Sequence, residues 1–110
     1  MKWSDLSNDR CPVARSMSVF GDRWTLLIIR DCFLGATRFE QFQESLGVTR
    51  HVLADRLSKL VEHEVLEKRA YHDRPPRYDY VLTEQGRAIG PALQALKAWG
   101  RTHIPRDDSF

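Results

Sequence analysis

The stretch from Thr49 to Leu66 combines an apolar stripe with polar side chains that can form hydrogen bonds. The stripe recurs at helical spacing and consists of Leu53, Leu57, Leu60 and Val61. Thr49 is a candidate N-cap, because its hydroxyl can accept a hydrogen bond from an amide of the first turn. Two interpretations of this segment remain open. It is either an ordinary surface helix or a helix that presents its polar side chains to base edges in the DNA major groove.

The second interpretation assigns specific chemistry to the polar side chains. Arginine can hold guanine O6 and N7 with two hydrogen bonds, and a carboxylate can accept one from cytosine N4. We therefore predict that His51, Asp55 and Arg56 look outward and contact bases, with Thr49 and Arg50 at the start of the helix. Two alternatives stay open: Asp55 could orient Arg56, and Arg50, nearer the apolar side, could reach a phosphate.

The residues before this helix predict a helix-turn-helix. Phe39, Phe42 and Leu46 repeat at positions i, i+3 and i+7, which indicates a short amphipathic helix that Gly47 ends. A turn of about three residues then leads to the helix that begins after Thr49. The preceding segment 37–39 is either a single edge strand or the start of the short helix.

A basic hairpin is predicted directly after the second helix. Leu66 to Tyr71 and Tyr78 to Leu82 are rich in strand-forming residues, and the loop 72–77 contains two prolines that should end both strands. A helix-turn-helix followed by a hairpin is a winged helix. We interpret four basic residues as phosphate or wing contacts, with solvated surface charges as the alternative: Arg38, Lys59, Arg74 and Arg77.

Three further helices are expected around this motif. One begins at Pro12 and ends at Gly21, a second spans Arg23 to Leu34 with Asp22 as its N-cap, and a third spans Glu84 to about Trp99 with a kink at residues 90–91. Apolar residues near both ends of the chain predict terminal helices that pack across a two-fold axis, unless the monomer buries them itself: Trp3, Leu6, Val13, Met17, Phe20, Ile89, Ala92, Leu93, Leu96 and Trp99.

The composition sets the class of protein. The 110 residues carry a net charge of +2, and we expect a single domain over residues 1–110 with an ordered core at about 10–100. The longest aliphatic run, residues 26–29, is far too short for a membrane span, and the N-terminus lacks the apolar core of a signal peptide. These features predict a cytoplasmic protein.

Neither the cysteines nor the histidines form a recognisable metal or catalytic motif. Cys11 precedes the predicted helix at Pro12, where the helix dipole favours the reactive thiolate; an inert buried thiol is the alternative. Cys32 lies within the apolar central helix and is expected to be inert. The four histidines lack close ligand spacing, and the chain has no serine elbow or phosphate-binding glycine loop. We expect no metal, no cofactor and no enzymatic activity.

Several of these segments together resemble the HxlR family of bacterial transcriptional regulators. The similarity runs from about residue 10 to 100 and includes Gly-Asp-Arg-Trp at 21–24 and Leu-Thr-Glu-x-Gly at 82–86. It implies a mainly α, MarR-like winged helix-turn-helix with a small hairpin wing, dimerising through N- and C-terminal helices. It also implies a homodimer that binds pseudo-palindromic operators in double-stranded DNA. Many relatives carry Ser-Pro-Asn where this chain has Thr-Arg-His at 49–51, so the operator sequence cannot be carried over.

Three hypotheses about the signal and the partner follow. Some HxlR-type regulators use a cysteine at the position of Cys11 to sense oxidants or electrophiles, which makes it the redox-sensing candidate here. A small apolar ligand at the dimer junction, near Phe20, Trp24 and Trp99, would need no cysteine. A winged-helix adaptor that binds another protein is the remaining alternative.

Overall fold

The computed structural model describes residues 2–106, without the side chains at positions 3 and 4. A 3₁₀ helix, Trp3–Asn8, precedes the main elements. These are α1 (Pro12–Phe20), α2 (Thr25–Phe33), α3 (Phe39–Leu46), α4 (Arg50–Glu62), β1 (Leu66–Asp73), β2 (Pro76–Leu82), α5 (Glu84–Arg87) and α6 (Gly90–His103). The side chain of Trp3, expected to pack on a partner, lies outside the described part. None of the described helices is long and apolar enough to cross a membrane.

The predicted ends of three helices are confirmed. Cys11 is the N-cap of α1 and Pro12 its first residue, while α3 ends at Gly47 in the left-handed conformation with φ of 65°. Thr49 caps α4: its hydroxyl accepts a hydrogen bond from the amide of Val52 at 3.3 Å. Local capping chemistry therefore sets where the helix-turn-helix begins and turns.

Helix α2 begins two residues later than predicted. The Asp22 carboxylate accepts hydrogen bonds from the amides of Trp24, at 2.9 Å, and Thr25, at 3.1 Å. Asp22 thus satisfies unpaired amides at the start of α2, as a cap should, but residues 23 and 24 form a turn rather than helix.

The hairpin is confirmed, but its strands are longer than predicted. The antiparallel ladder runs from Leu66 opposite Leu82 to Asp73 opposite Pro76, with an irregularity near Tyr71. The prolines do not shorten the strands because they sit at the tip, where a missing amide breaks no ladder hydrogen bond. The amide of Tyr80 also donates to the carbonyl of Thr37 at 2.7 Å. Segment 37–39 therefore makes one strand-like contact with the wing before α3 begins.

The C-terminal helix is two helices rather than one kinked helix. Thr83 caps α5 by accepting a hydrogen bond from the amide of Gly86 at 3.0 Å, and α6 begins at Gly90 with Pro91 in its first turn. The predicted kink is therefore a complete break at residues 88–89. Proline lacks the amide hydrogen that an uninterrupted helix would need there.

The core lies between α2, the helix-turn-helix and the base of the wing. It consists of Ile28, Ile29, Phe42, Val48, Leu53, Leu57, Leu60, Val65 and Leu66. Neither α1 nor α6 contributes a buried residue. Ile89 and Leu93 pack against the core, but Leu96 and Trp99 are 54% and 58% exposed. The monomer thus buries only part of the apolar stripe of α6.

A close approach at Gly86 generates a stability prediction. A Cβ atom at this buried glycine would lie 2.2 Å from the carbonyl oxygen of Val65, whereas one at Gly100 in α6 would meet nothing within 4 Å. We expect Gly86→Ala to lower the free energy of unfolding by about 1–3 kcal/mol through overpacking. The control Gly100→Ala should raise it by about 0.5–1 kcal/mol. Urea denaturation measures both, and equal effects of the two substitutions would contradict the packing seen at Gly86.

Candidate nucleic-acid interface

Helix α4 is held by one side and open on the other. Leu53, Leu57 and Leu60 are at most 1% exposed, while His51 and Lys59 are exposed. The apolar stripe fixes which side chains can reach solvent, because rotating α4 would expose three leucines. The outward face begins at Thr49, so the N-terminal turn of α4 is presented in the way that a recognition helix presents base-reading side chains.

Arg50 is directed back toward α3. Its guanidinium lies 4.6 Å from the centre of the Phe39 ring, and Nη1 donates to Gln43 Oε1 at 3.4 Å. This orientation favours the alternative in which Arg50 reaches a phosphate beside the groove rather than a base.

Arg56 does not have the outward orientation that the sequence predicted. Its side chain is only 22% exposed, and Nε lies 3.1 Å from Asp22 Oδ1, an ion-pair distance at which the N–H group does not have hydrogen-bond geometry. The position on the flank of α4 explains the error, because a long side chain there can turn inward toward a fixed carboxylate. We therefore do not propose Arg56 as a base-reading residue.

Asp55 is engaged on the surface of α4. Its Oδ2 lies 2.5 Å from Arg56 Nη1 and 3.3 Å from Lys59 Nζ. Burial raises the pKa of this carboxyl, but the hydrogen bond and charge of Lys59, with those of Arg56, outweigh it and hold the pKa below its ordinary value. Asp55 therefore stays ionised at neutral pH, and because both partners contact Oδ2, its Oδ1 could still accept a hydrogen bond from a cytosine.

Arg38 joins the start of α3 to the wing. Its guanidinium lies 3.9 Å from the centre of the Tyr71 ring, and Nε donates to Asp79 Oδ1 at 3.3 Å. The side chain is still 50% exposed, so it can approach a phosphate while it holds the wing. Because these contacts join α3 to both strands, they fix the position of the wing relative to the helix-turn-helix.

The wing tip carries the two arginines that the sequence assigned to it. Arg74 and Arg77 are exposed, and the tip is closed by His72, whose Nδ1 donates to the carbonyl of Pro75 at 3.2 Å. Further down the wing, Lys68 Nζ lies 4.2 Å from the centre of the Tyr78 ring. The arrangement places positive charge at the end of a hairpin that α3 holds in position, as contact with a DNA backbone requires.

Comparison with known proteins identifies the family. The profile described as HxlR-like helix-turn-helix matches residues 19–108. The chain belongs to the HxlR-like family. An uncharacterised HTH-type transcriptional regulator of Mycobacterium tuberculosis is 40% identical over 110 residues, covering 98% of this chain and 70% of that protein. The family and its relatives are transcriptional regulators rather than enzymes, so this chain is a transcriptional regulator of the helix-turn-helix class.

Solved structures support the same assignment. The transcription factor PA1607 superposes with a TM-score of 0.86 at 42% identity, covering 96% of this chain and 74% of that one. The redox regulator HypR in its oxidised form superposes with a TM-score of 0.77 at 30% identity, covering 89% of this chain and 100% of that one. The HxlR-like chain therefore has the winged-helix, MarR-like fold that the sequence predicted.

The two cysteines of this HxlR-like chain occupy different surroundings. Cys11 is exposed, and its amide donates to Asp9 Oδ1 at 2.9 Å. Arg15, four residues further along, donates to the carbonyls of Asp9 and Arg10. Cys32 is half-buried, and burial, with the charge of Asp31, raises its pKa to about 12.

The predicted ligand residues are not gathered around the apolar cleft of the molecule. Phe20 and Trp24 pack against the core, and Trp99 is largely exposed on α6. An apolar cleft of about 650 Å³ lies instead between α2 and α6, and its apolar lining consists of Leu26, Leu27, Phe33, Leu34, Leu93 and Leu96. Within residues 2–106, no group of three or more His, Cys, Asp or Glu side chains could hold a metal ion.

Three contacts of the arginines in this region could not be predicted from the sequence. The sequence predicts Asp22 only as a helix cap, and it gives no reason to pair Arg38 with Asp79 or Tyr71. Each contact joins residues far apart in the chain, 22 with 56 and 38 with 71 or 79. Helical and strand periodicity carry no information about such pairs.

The contrast between the cysteines generates a labelling prediction. At pH 7.5, iodoacetamide should modify Cys11 and leave Cys32 largely unmodified, because the thiolate is the reactive form and a thiol with a pKa of about 12 supplies almost none. Mass spectrometry of peptides from the native protein measures this, with labelling in 6 M guanidinium (about the strength that unfolds most domains) as the control in which both react. Labelling of Cys32 ahead of Cys11 in the native state would contradict the structure.

Proposed function

We propose that this regulator binds a pseudo-palindromic operator in double-stranded DNA as a homodimer. The observation that carries the proposal is the pairing of an open N-terminal face on α4 with a basic wing tip that α3 holds in position. Family membership supplies the class of protein, and the two surfaces supply the means of contacting a base edge and a phosphate together.

Each side chain has an assigned contact under this proposal. His51, Thr49 and Asp55 lie at or near the open turn of α4 and face the bases. Phosphates are contacted by Arg38, Arg50, Lys59, Arg74 and Arg77. A base contact of good geometry contributes about 1–3 kcal/mol of discrimination, whereas a phosphate contact contributes affinity that depends on salt.

The incompletely buried terminal helices support the homodimer. Val13 of α1 is 68% exposed, and Leu96, Trp99 and Ile104 at the C-terminal end are 54–68% exposed. A partner copy that covered these apolar side chains would remove them from water, which favours association. A homodimer that reads two adjacent half-sites needs its two copies of α4 about 34–36 Å apart, which is one turn of DNA.

Selection from a random duplex library tests the function itself. The wild-type protein should enrich a sequence with two related halves, and binding to it should weaken steeply as salt rises. If nothing is enriched and DNA binding is absent at low salt, the winged-helix adaptor becomes the better account of the same surfaces.

The wing tip generates a salt-dependence prediction. Replacing Arg77 by alanine should reduce the slope of log K against log salt by about 0.9 for each phosphate that is no longer neutralised, hence by about 1.8 for a homodimer. Binding to the selected duplex is titrated at several salt concentrations. The control Arg87→Ala removes the same charge from α5, which is assigned neither to DNA nor to the dimer contact, and should leave the slope unchanged. An unchanged slope in Arg77→Ala would rule out its phosphate contact.

We further propose that Cys11 responds to oxidants or electrophiles. The thiol is exposed at the N-terminus of α1, in a helix assigned to the dimer contact, and the related protein HypR is a redox regulator. Modification at this point would alter how α1 packs and therefore how the two copies of α4 are spaced. A small apolar effector in the cleft between α2 and α6 is the alternative signal, supported by the apolar lining of that cleft.

The thiol hypothesis generates a direct prediction. Diamide or a quinone should weaken binding of the wild-type protein to the selected duplex, and Cys11→Ser should remove that response while it binds normally without oxidant. Cys32→Ser is the matched control and should respond as the wild type does. Loss of binding in the oxidant-treated Cys11→Ser variant would exclude Cys11 as the sensor.

A further inference from the structure

An ion pair joins the recognition helix to the junction between α1 and α2. Arg56 of α4 and Asp22 of that junction lie 3.1 Å apart between Nε and Oδ1, with side chains 22% and 12% exposed. Partial removal from water strengthens such a contact relative to a surface ion pair. Both side chains are therefore held against the protein rather than extended into solvent.

The Asp22 carboxylate is fixed by bonds of its own. It accepts hydrogen bonds from the amides of Trp24 and Thr25 and from the Thr25 hydroxyl. Burial raises the pKa of Asp22, but these bonds and the Arg56 guanidinium outweigh it and hold the pKa below its ordinary value. Arg56 thus meets a carboxylate that is charged at neutral pH and held at the start of α2.

The same point is in close contact with α1. Gly21 is the C-cap of α1, so Asp22 follows that helix directly. A narrow cleft there is lined by Ser18 and Val19 of α1 together with Asp22 and Arg56. Helices α1, α2 and α4 therefore meet at this ion pair.

On the far side, Arg56 reaches the outward face of α4. Its Nη1 lies 2.5 Å from Asp55 Oδ2, and the same oxygen lies 3.3 Å from Lys59 Nζ. A single guanidinium thus touches a fixed carboxylate at the α1–α2 junction and a carboxylate on the DNA-facing side. Its planar fork suits this use, because it can hold two acceptors in one geometry.

We infer that Arg56 is a positioning residue of the recognition helix. Through Asp22 it sets the placement of α4 relative to α1 and α2, and it does not itself read a base. This inference rests on the proposed operator binding. It means that Asp22 contributes to the DNA sequence specificity, although Asp22 lies at the α1–α2 junction and is almost buried. A movement of α1 would therefore act through the Asp22–Arg56 ion pair on the N-terminal turn of α4, which is proposed to read bases.

Substitutions that separate positioning from base contact test the inference. Asp22→Asn keeps an oxygen that can cap α2 but removes the charge, and Arg56→Met keeps most of the length of the side chain without its charge. We expect each to lower the ratio of selected-duplex to random-duplex affinity by about tenfold, and the double variant to lower it no further, because both remove one coupling. Arg56→Lys keeps the charge without the planar fork and should restore the ratio only in part.

The pattern across the duplex gives the second readout. If α4 is misplaced, each single base-pair substitution at a contacted position of the duplex should change the affinity of both variants less than it changes the affinity of the wild-type protein. If Arg56 reads a base, the affinity of Arg56→Met should no longer depend on the base pair at one position, while Asp22→Asn should keep the wild-type pattern. That result would overturn the inference. A lowered melting temperature with an unchanged ratio also overturns it, because the pair would then be merely structural.

Controls separate this test from the proposed function. Glu67→Gln removes the exposed Glu67–Arg69 ion pair, whose atoms lie 3.0 Å apart on β1, and should leave the ratio unchanged. If Arg56→Met does not fold, Asp22→Asn and Arg56→Lys still decide the outcome. If the wild-type protein enriches no sequence at all, the proposed function fails, and the inference that rests on it fails for that separate reason.

Discussion

Burial of the leucine stripe of α4 is the interaction on which the rest of the structure depends. Leu53, Leu57 and Leu60 belong to the same core as Ile28 and Ile29 of α2, and each of the three leucines is almost completely removed from water. Truncating a leucine in such a position costs about 2–5 kcal/mol, a large part of the stability of a small domain. The stripe therefore fixes the rotation of α4 about its axis, and with it the side chains that are open to a partner.

Charged contacts then fix the tilt of a helix and its distance from its neighbours, which the apolar core sets less firmly. Hydrophobic burial is not directional, so it sets the buried side of a helix more firmly than its tilt or its distance from a neighbour. Arg56 joins α4 to Asp22, and Arg38 joins α3 to the wing through Asp79 and Tyr71. Both arginines lie in elements that the sequence assigns to DNA contact, yet each also makes a long-range contact within the protein. The placement of α4 and of the wing thus depends on Asp22, Asp79 and Tyr71, which are not among the residues proposed to contact DNA.

The sequence predicted the local features well and the long-range ones poorly. Helix ends at Pro12, Gly47 and Thr49 follow from capping chemistry, and the α4 stripe follows from periodicity, so these could be read directly. The inward turn of Arg56 could not, because it depends on a carboxylate that only the folded chain brings near. The break before Gly90 was underestimated, since a proline near a helix start is compatible with either a kink or a new helix. The residues chosen for base contact remain predictions.

The spacing of two recognition helices is the property on which the proposed homodimer and its proposed regulation depend. Terminal helices that leave Trp99 and Ile104 exposed in the monomer would set that spacing once paired. Hydroxyl-radical footprinting of the wild-type protein on its selected duplex measures it directly. The proposed homodimer predicts two protected patches on one face of the DNA, separated by one helical turn of about 10 base pairs, with flanking protection from the wings. A single protected patch at saturating protein would contradict it.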